Sequence, residues 1–227
     1  MKFKKALPWL VFFLTLIAVI YWFYGMLTRP LPGEDVSEQG RDHTQDIAGI
    51  TYNSNPPTSG THFPVWAKPG VYDRLMSDGY LIHSLEHGYV VISYDCSKLE
   101  VSSFSLVSTA FAHDEPVKES TDSGQFLMHM RVQPQGDMSW FTPENPPEVE
   151  LELPESFNSD SCKSLVSQLS EFAKVAERVI VAPRVGMETE IALTAWRRIL
   201  KLDEVDDQRI TEFIKTFHNR GPELTEE

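Results

Sequence analysis

Residues 83–94 read His83-Ser84-Leu85-Glu86-His87-Gly88-Tyr89-Val90-Val91-Ile92-Ser93-Tyr94. The second half is β-branched and aromatic, the composition of a buried strand. The first half ends in glycine, a common residue just past a helix C-terminus, and is expected to form one helical turn. In such a turn His83 and His87 share a face, with Glu86 one position off, so one metal ion can meet two imidazoles. In an extended chain the same histidines would stand roughly 13 Å apart at about 3.3 Å per residue, too far for one ion. The local helix therefore decides whether the segment has metal chemistry.

Upstream, Pro56-Pro57-Thr58-Ser59-Gly60, Phe63-Pro64 and Pro69-Gly70 make a conformationally restricted loop that delivers His62. Residues 47–52 are expected to form a strand and 71–77 a short helix punctuated by Gly79. The expected metal set is His62, His83 and His87, with Glu86 as a ligand or an outer acceptor. Imidazoles suit copper or zinc, and a thioether from Met76 or Met187 would bias the site toward Cu(I). In the competing structural reading these histidines donate to backbone carbonyls and brace the turn before the strand, in a cell-envelope interaction module. H-x-x-E-H is also the inverted zincin motif of zinc hydrolases, with the glutamate as general base and Glu171 or Glu177 as a third ligand by position. That motif normally lies inside a long helix, whereas here Gly88 and a strand follow at once. Ser59, flanked by prolines, reads as a turn residue rather than a nucleophile beside His62.

The N-terminal residues are a separate object. Lys2, Lys4 and Lys5, in a short segment 1–5, precede the uncharged residues 6–28, long enough to span a bilayer and without an A-x-A-like cleavage site. They are expected to be an uncleaved signal anchor with Trp9, Tyr21, Trp22 and Tyr24 toward its ends. The basic residues precede the span, which predicts a cytoplasmic N-terminus and a main domain outside the cell membrane. Residues 29–46 are polar and aperiodic and read as a flexible tether. This N-terminal region holds four of the 20 basic residues and, through Arg29, none of the 33 acidic ones, so the rest carries a formal charge of −17. Nucleic acid is excluded as a partner on that charge; the lipid bilayer is the partner of residues 6–28, and the sequence specifies no protein partner.

Residues 47–223 are enough for one α+β domain with a real core. Its later part is expected to hold strands at 104–111, 125–132 and 179–182 and helices at 163–178, 188–200 and 206–217, with Trp196 as a core anchor on the middle helix. Residues 134–154 read as a Pro-rich, acidic surface excursion. In a strand, Met128 and Met130 fall on one face and His129 on the other, which is core packing rather than a copper site. Cys96 and Cys162 are the only cysteines, and an oxidising compartment makes a disulfide the expectation, with thiolate ligation by Cys162 the alternative.

Tyr52, Pro56-Pro57-Thr58-Ser59-Gly60, His62, Gly70-Val71-Tyr72, His83-Ser84-Leu85-Glu86-His87-Gly88 and the strand ending at Tyr94 together resemble a bacterial family known as domain of unknown function 3105. Val179-Ile180-Val181-Ala182-Pro183, Gly186-Met187, Ile191-Ala192-Leu193-Thr194-Ala195-Trp196 and Gly221-Pro222-Glu223 resemble its second block. The resemblance implies an anchored domain outside the cell membrane and no assigned activity. It also implies that residues 98–160 are an insertion, whose ends would bring Cys96 close to Cys162.

Overall fold

The computed structural model describes residues 3–99 and 153–223, in two units, 1–31 and 32–227. In the first, α1 (Phe3–Leu27) is about 37 Å long at 1.5 Å per residue, and its stretch Trp9–Leu27 has a mean hydropathy of 2.2. That is long and apolar enough to cross a hydrocarbon core of about 30 Å.

The second unit is built on one mixed six-stranded sheet. Its strands are β1 (Glu34–Asp35), β2 (Gly70–Val71), β3 (Val90–Tyr94), β4 (Val179–Pro183), β5 (Ile191–Ala195) and β6 (Arg198–Leu202), in the order β1-β6-β5-β3-β4-β2. β3 pairs parallel with β4 and antiparallel with β5, and every residue of all three strands is buried. The alternation of the pleat sends Val90, Ile92, Val179 and Val181 to one face and Val91, Ile180 and Ala182 to the other. Helices α3 (Asp160–Phe172) and α4 (Asp207–Phe217) cover the first face with Leu165, Leu169, Phe172, Ile210, Phe213 and Ile214. Helix α2 (Asp78–Glu86) and the loop 47–67 cover the second with Leu81, Leu85, Tyr80, Ile47 and Phe63.

Several elements differ from their sequence expectation. Residues 188–200, expected to be a helix, form the β5–β6 hairpin, turned by Trp196 and Arg197, with Arg197 at φ 61°. Ile, Leu, Thr and Ala suit either state, and the free edge of β3 decides, because pairing there buries both faces of β5. Trp196 therefore sits in a hairpin turn, not on a helix. Residues 71–77 hold the end of β2 rather than a helix, and α2 begins only at Asp78, with Ser77 as its N-cap. Gly79 is thus inside the first turn of α2. Gly88 does end the helix, at φ +81° beyond the C-cap His87. Residues 47–52 form no strand; Ile47 packs in the core at a turn closed by the Ile50 N–H on its carbonyl. α3 stops at Phe172, short of the expected 178.

Within the stretch expected to be a tether, β1 pairs with β6, Arg198 donates to the Pro32 and Gly33 carbonyls, and His43 bridges to His62. Cys96 and Cys162 form a disulfide with Cα atoms 5.5 Å apart, closing 66 residues of chain. The strands expected at 104–111 and 125–132, the excursion up to 152 and the Met128-His129-Met130 triplet lie outside the described residues.

Candidate metal centre

α2 owes its position to its first turn. Asp78 forms a buried, two-pronged ion pair with Arg184, at 2.5 and 3.2 Å, and Arg184 also donates to Asn55 and, through its amide, to the Tyr94 carbonyl. The helix is thereby tied to the ends of β3 and β4, and the residues after its first turn are aimed at the Pro-rich loop. Gly79 and His83, one turn apart, meet that loop directly. The Phe63 N–H donates to the Gly79 carbonyl, the Phe63 ring lies against Gly79, and the Phe63 carbonyl accepts from His83 Nδ1 at 2.6 Å. Ser84 hydrogen-bonds both the N–H and the carbonyl of Ala67. His62 Nδ1 donates to the Gly60 carbonyl at 2.7 Å. The bracing foreseen for these histidines is present, and it runs through Nδ1.

A carbonyl only accepts, so both Nδ1 atoms carry the proton, and a neutral ring then leaves a lone pair on Nε2. Burial keeps the rings neutral, lowering the pKa of His62 to about 4 and of His83 to about 3 against the opposing pull of those carbonyls. The Nδ1 bonds therefore orient ligands, as outer-sphere acceptors do in metal sites. His62 Nε2 faces Glu86 Oε2 at 2.9 Å, and His83 Nε2 faces His87 Nε2 at 3.0 Å. Burial raises the Glu86 pKa, and the neighbouring Glu223 charge adds to it. A carboxylate oxygen and an imidazole lone pair in contact need a positive charge between them, a proton or a metal ion.

His43 completes the group. Its ring stacks on His83 at 5.0 Å and 5°, and its Nε2 is 3.7 Å from Glu86 Oε2. One ligand atom from each of His43, His62 and His83 lies within 4.8 Å of the other two. An ion centred among three such atoms would be roughly 2.8 Å from each, so each ring has to close by less than about 1 Å to reach Zn–N bonds of about 2.0–2.1 Å. The Trp66 ring, 4.9 Å from His87, and the Trp196 ring, 6.5 Å from His62, flank the cluster.

Residues 43–130 and 156–227 match the family described as "Protein of unknown function (DUF3105)". The chain belongs to the DUF3105 family. The DUF3105 match begins at His43 itself and runs on to residue 130, so of the insertion expected at 98–160 only residues 131–155 fall between its two blocks. Met128-His129-Met130, inside the stretch expected to be an insertion, closes the first matched block and so belongs to the family match. No curated protein and no solved structure matches the chain.

In this DUF3105 chain the structure brings together His62, His83, His87 and Glu86 and adds His43, which the sequence reading passed over as tether. Its one local signal was a histidine in an otherwise aperiodic polar stretch. Met76 packs in the apolar cluster with Phe63 and Tyr80, and the Met187 amide is held by Asp95 beyond the far end of β3, so neither belongs to the histidine group. Glu171 is exposed on α3, across the sheet from the site, and is paired with Lys174; Glu177 is also exposed. Neither supplies the third ligand that a zincin needs. Ser59 is buried and accepts the Gln39 N–H. Cys162, in the disulfide, is not a thiolate ligand.

Proposed function

We propose that this DUF3105 protein binds a transition-metal ion through His43, His62 and His83, with Glu86 as the anionic ligand, in a domain carried outside the cell membrane by α1. The contact between His62 Nε2 and Glu86 Oε2, with the His62 proton committed to Gly60, carries the reading. Nitrogen and oxygen donors without sulfur suit zinc or copper(II) rather than Cu(I). The orientation rests on Lys2, Lys4 and Lys5 ahead of the apolar span. The role is metal handling or sensing, without catalysis.

The test is elemental analysis of the full chain in detergent, purified without chelators and with no histidine tag. Zinc or copper at about one ion per chain or more, lowered in His62→Ala and in His83→Ala, supports the proposal. A chain that carries no metal and takes up neither Zn(II) nor Cu(II) on titration overturns it. The bracing network would then stand alone, as the frame of an envelope interaction module.

A further inference from the structure

The histidine cluster holds more donors than one ion uses. Four imidazoles and two carboxylates, Glu86 and Glu223, converge where zinc usually takes four ligands. They fall into two triplets of the same composition. In the first, His62 Nε2 and Glu86 Oε2 are 2.9 Å apart, with His43 Nε2 at 3.7 Å from that oxygen. In the second, His83 Nε2 and His87 Nε2 are 3.0 Å apart, with Glu223 Oε2 at 3.9 Å from His87 Nε2. Two donors on one tetrahedral ion stand about 3.4 Å apart at bonds of about 2.0–2.1 Å, so each pair is close enough to share an ion. The spread of up to 4.8 Å among His43, His62 and His83 exceeds that distance.

The partition has the same design on both sides. The members of each close pair are buried, and the third donor of each triplet, His43 at 45 % and Glu223 at 50 % exposed, faces water. Glu223 is put there by deliberate backbone packing. Its N–H donates to the Glu86 carbonyl, and Gly221 lies so close that a Cβ would fall 1.9 Å from that same oxygen. The Gly221-Pro222 step, read from sequence as a helix stop, carries Glu223 over the C-terminus of α2. The Glu223 charge disfavours the charged form of Glu86, a cost that bound cations offset.

We propose that the loaded centre is dinuclear, with one ion on His43, His62 and Glu86 and a second on His83, His87 and Glu223, the two sets adjoining where the His43 ring stacks on His83 at 5.0 Å. This rests on the proposed metal-binding function, moves His83 from the first ion to the second, and goes beyond that reading in the number of ions and in the ligand role of His87 and Glu223.

The experiment is titration of the full chain in detergent with Zn(II), counting bound zinc, followed by electron paramagnetic resonance of the Cu(II)-loaded protein. Two zinc ions per chain, one in Glu223→Gln and one in His87→Ala, with a spin-coupled copper pair that becomes an isolated signal in Glu223→Gln, is the expected result. Glu223 is half-exposed, so its variant keeps the test sharp if His87→Ala fails to fold. Saturation of the wild-type chain at one zinc, lost in His62→Ala and unchanged in Glu223→Gln, overturns the dinuclear centre while leaving the proposed function intact. No uptake by the wild-type chain overturns both.

Discussion

The Phe63 ring lies directly on Gly79, so that a Cβ at position 79 would fall 2.3 Å from Phe63 Cδ2. One turn further along the same helix face, the Phe63 carbonyl holds His83 Nδ1. The glycine thus sets the distance between loop and helix, and with it the aim of a candidate ligand. Gly79→Ala is expected to destabilise the domain by about 1–3 kcal/mol, as overpacking does, and to weaken Zn(II) binding. Gly49→Ala, where nothing lies within 4 Å, is the control and should leave both unchanged. Urea unfolding and zinc titration of the two variants check this.

Glu86→Gln separates charge from shape. The amide can donate to His62 Nε2, so the buried contact survives and stability should change by less than about 1 kcal/mol. The charge that complements a cation is gone, and zinc affinity should fall by at least about tenfold. A large loss of stability with unchanged affinity would assign Glu86 to bracing alone.

With chelator present, acid should destabilise the domain. His62 and His83 titrate at about 4 and about 3 when folded and near 6.5 when unfolded, so below about pH 6.5 the unfolded chain binds more protons and stability falls with pH. Glu86 acts in the opposite sense, because its raised pKa makes the folded state the better proton acceptor there. Two histidines against one carboxyl leave a net loss on the order of a few kcal/mol between pH 7 and 4, read as a falling urea midpoint. His62→Gln should flatten that profile.

Reduction of the Cys96–Cys162 bridge should lower stability by about 4 kcal/mol, the loop-closure figure for so long a loop, since it ties the end of β3 to the first turn of α3. Unfolding with and without dithiothreitol measures it. Zinc affinity should be unaffected in the folded state, because the cysteines sit at the opposite end of β3 from His87.

The sequence by itself determined the apolar helix, the buried strand after Gly88, the amphipathic helix at 207–217, the cysteine pair and three of the histidines, because each is written within a few residues of itself. Hydrophobic period, a terminating glycine and i, i+4 spacing are local signals that survive whatever the rest of the chain does. Only the tertiary structure decided that residues 191–202 are two strands, since their side chains fit helix or strand and the open edge of β3 chose between them. It alone brought His43 to His62 and Glu223 to His87, because their convergence depends on sheet pairing and on backbone contacts between segments far apart in sequence. It also showed why Gly79 and Gly221 are glycine: another backbone or ring occupies the place of their side chains, and no local pattern records what a chain will meet after it has folded.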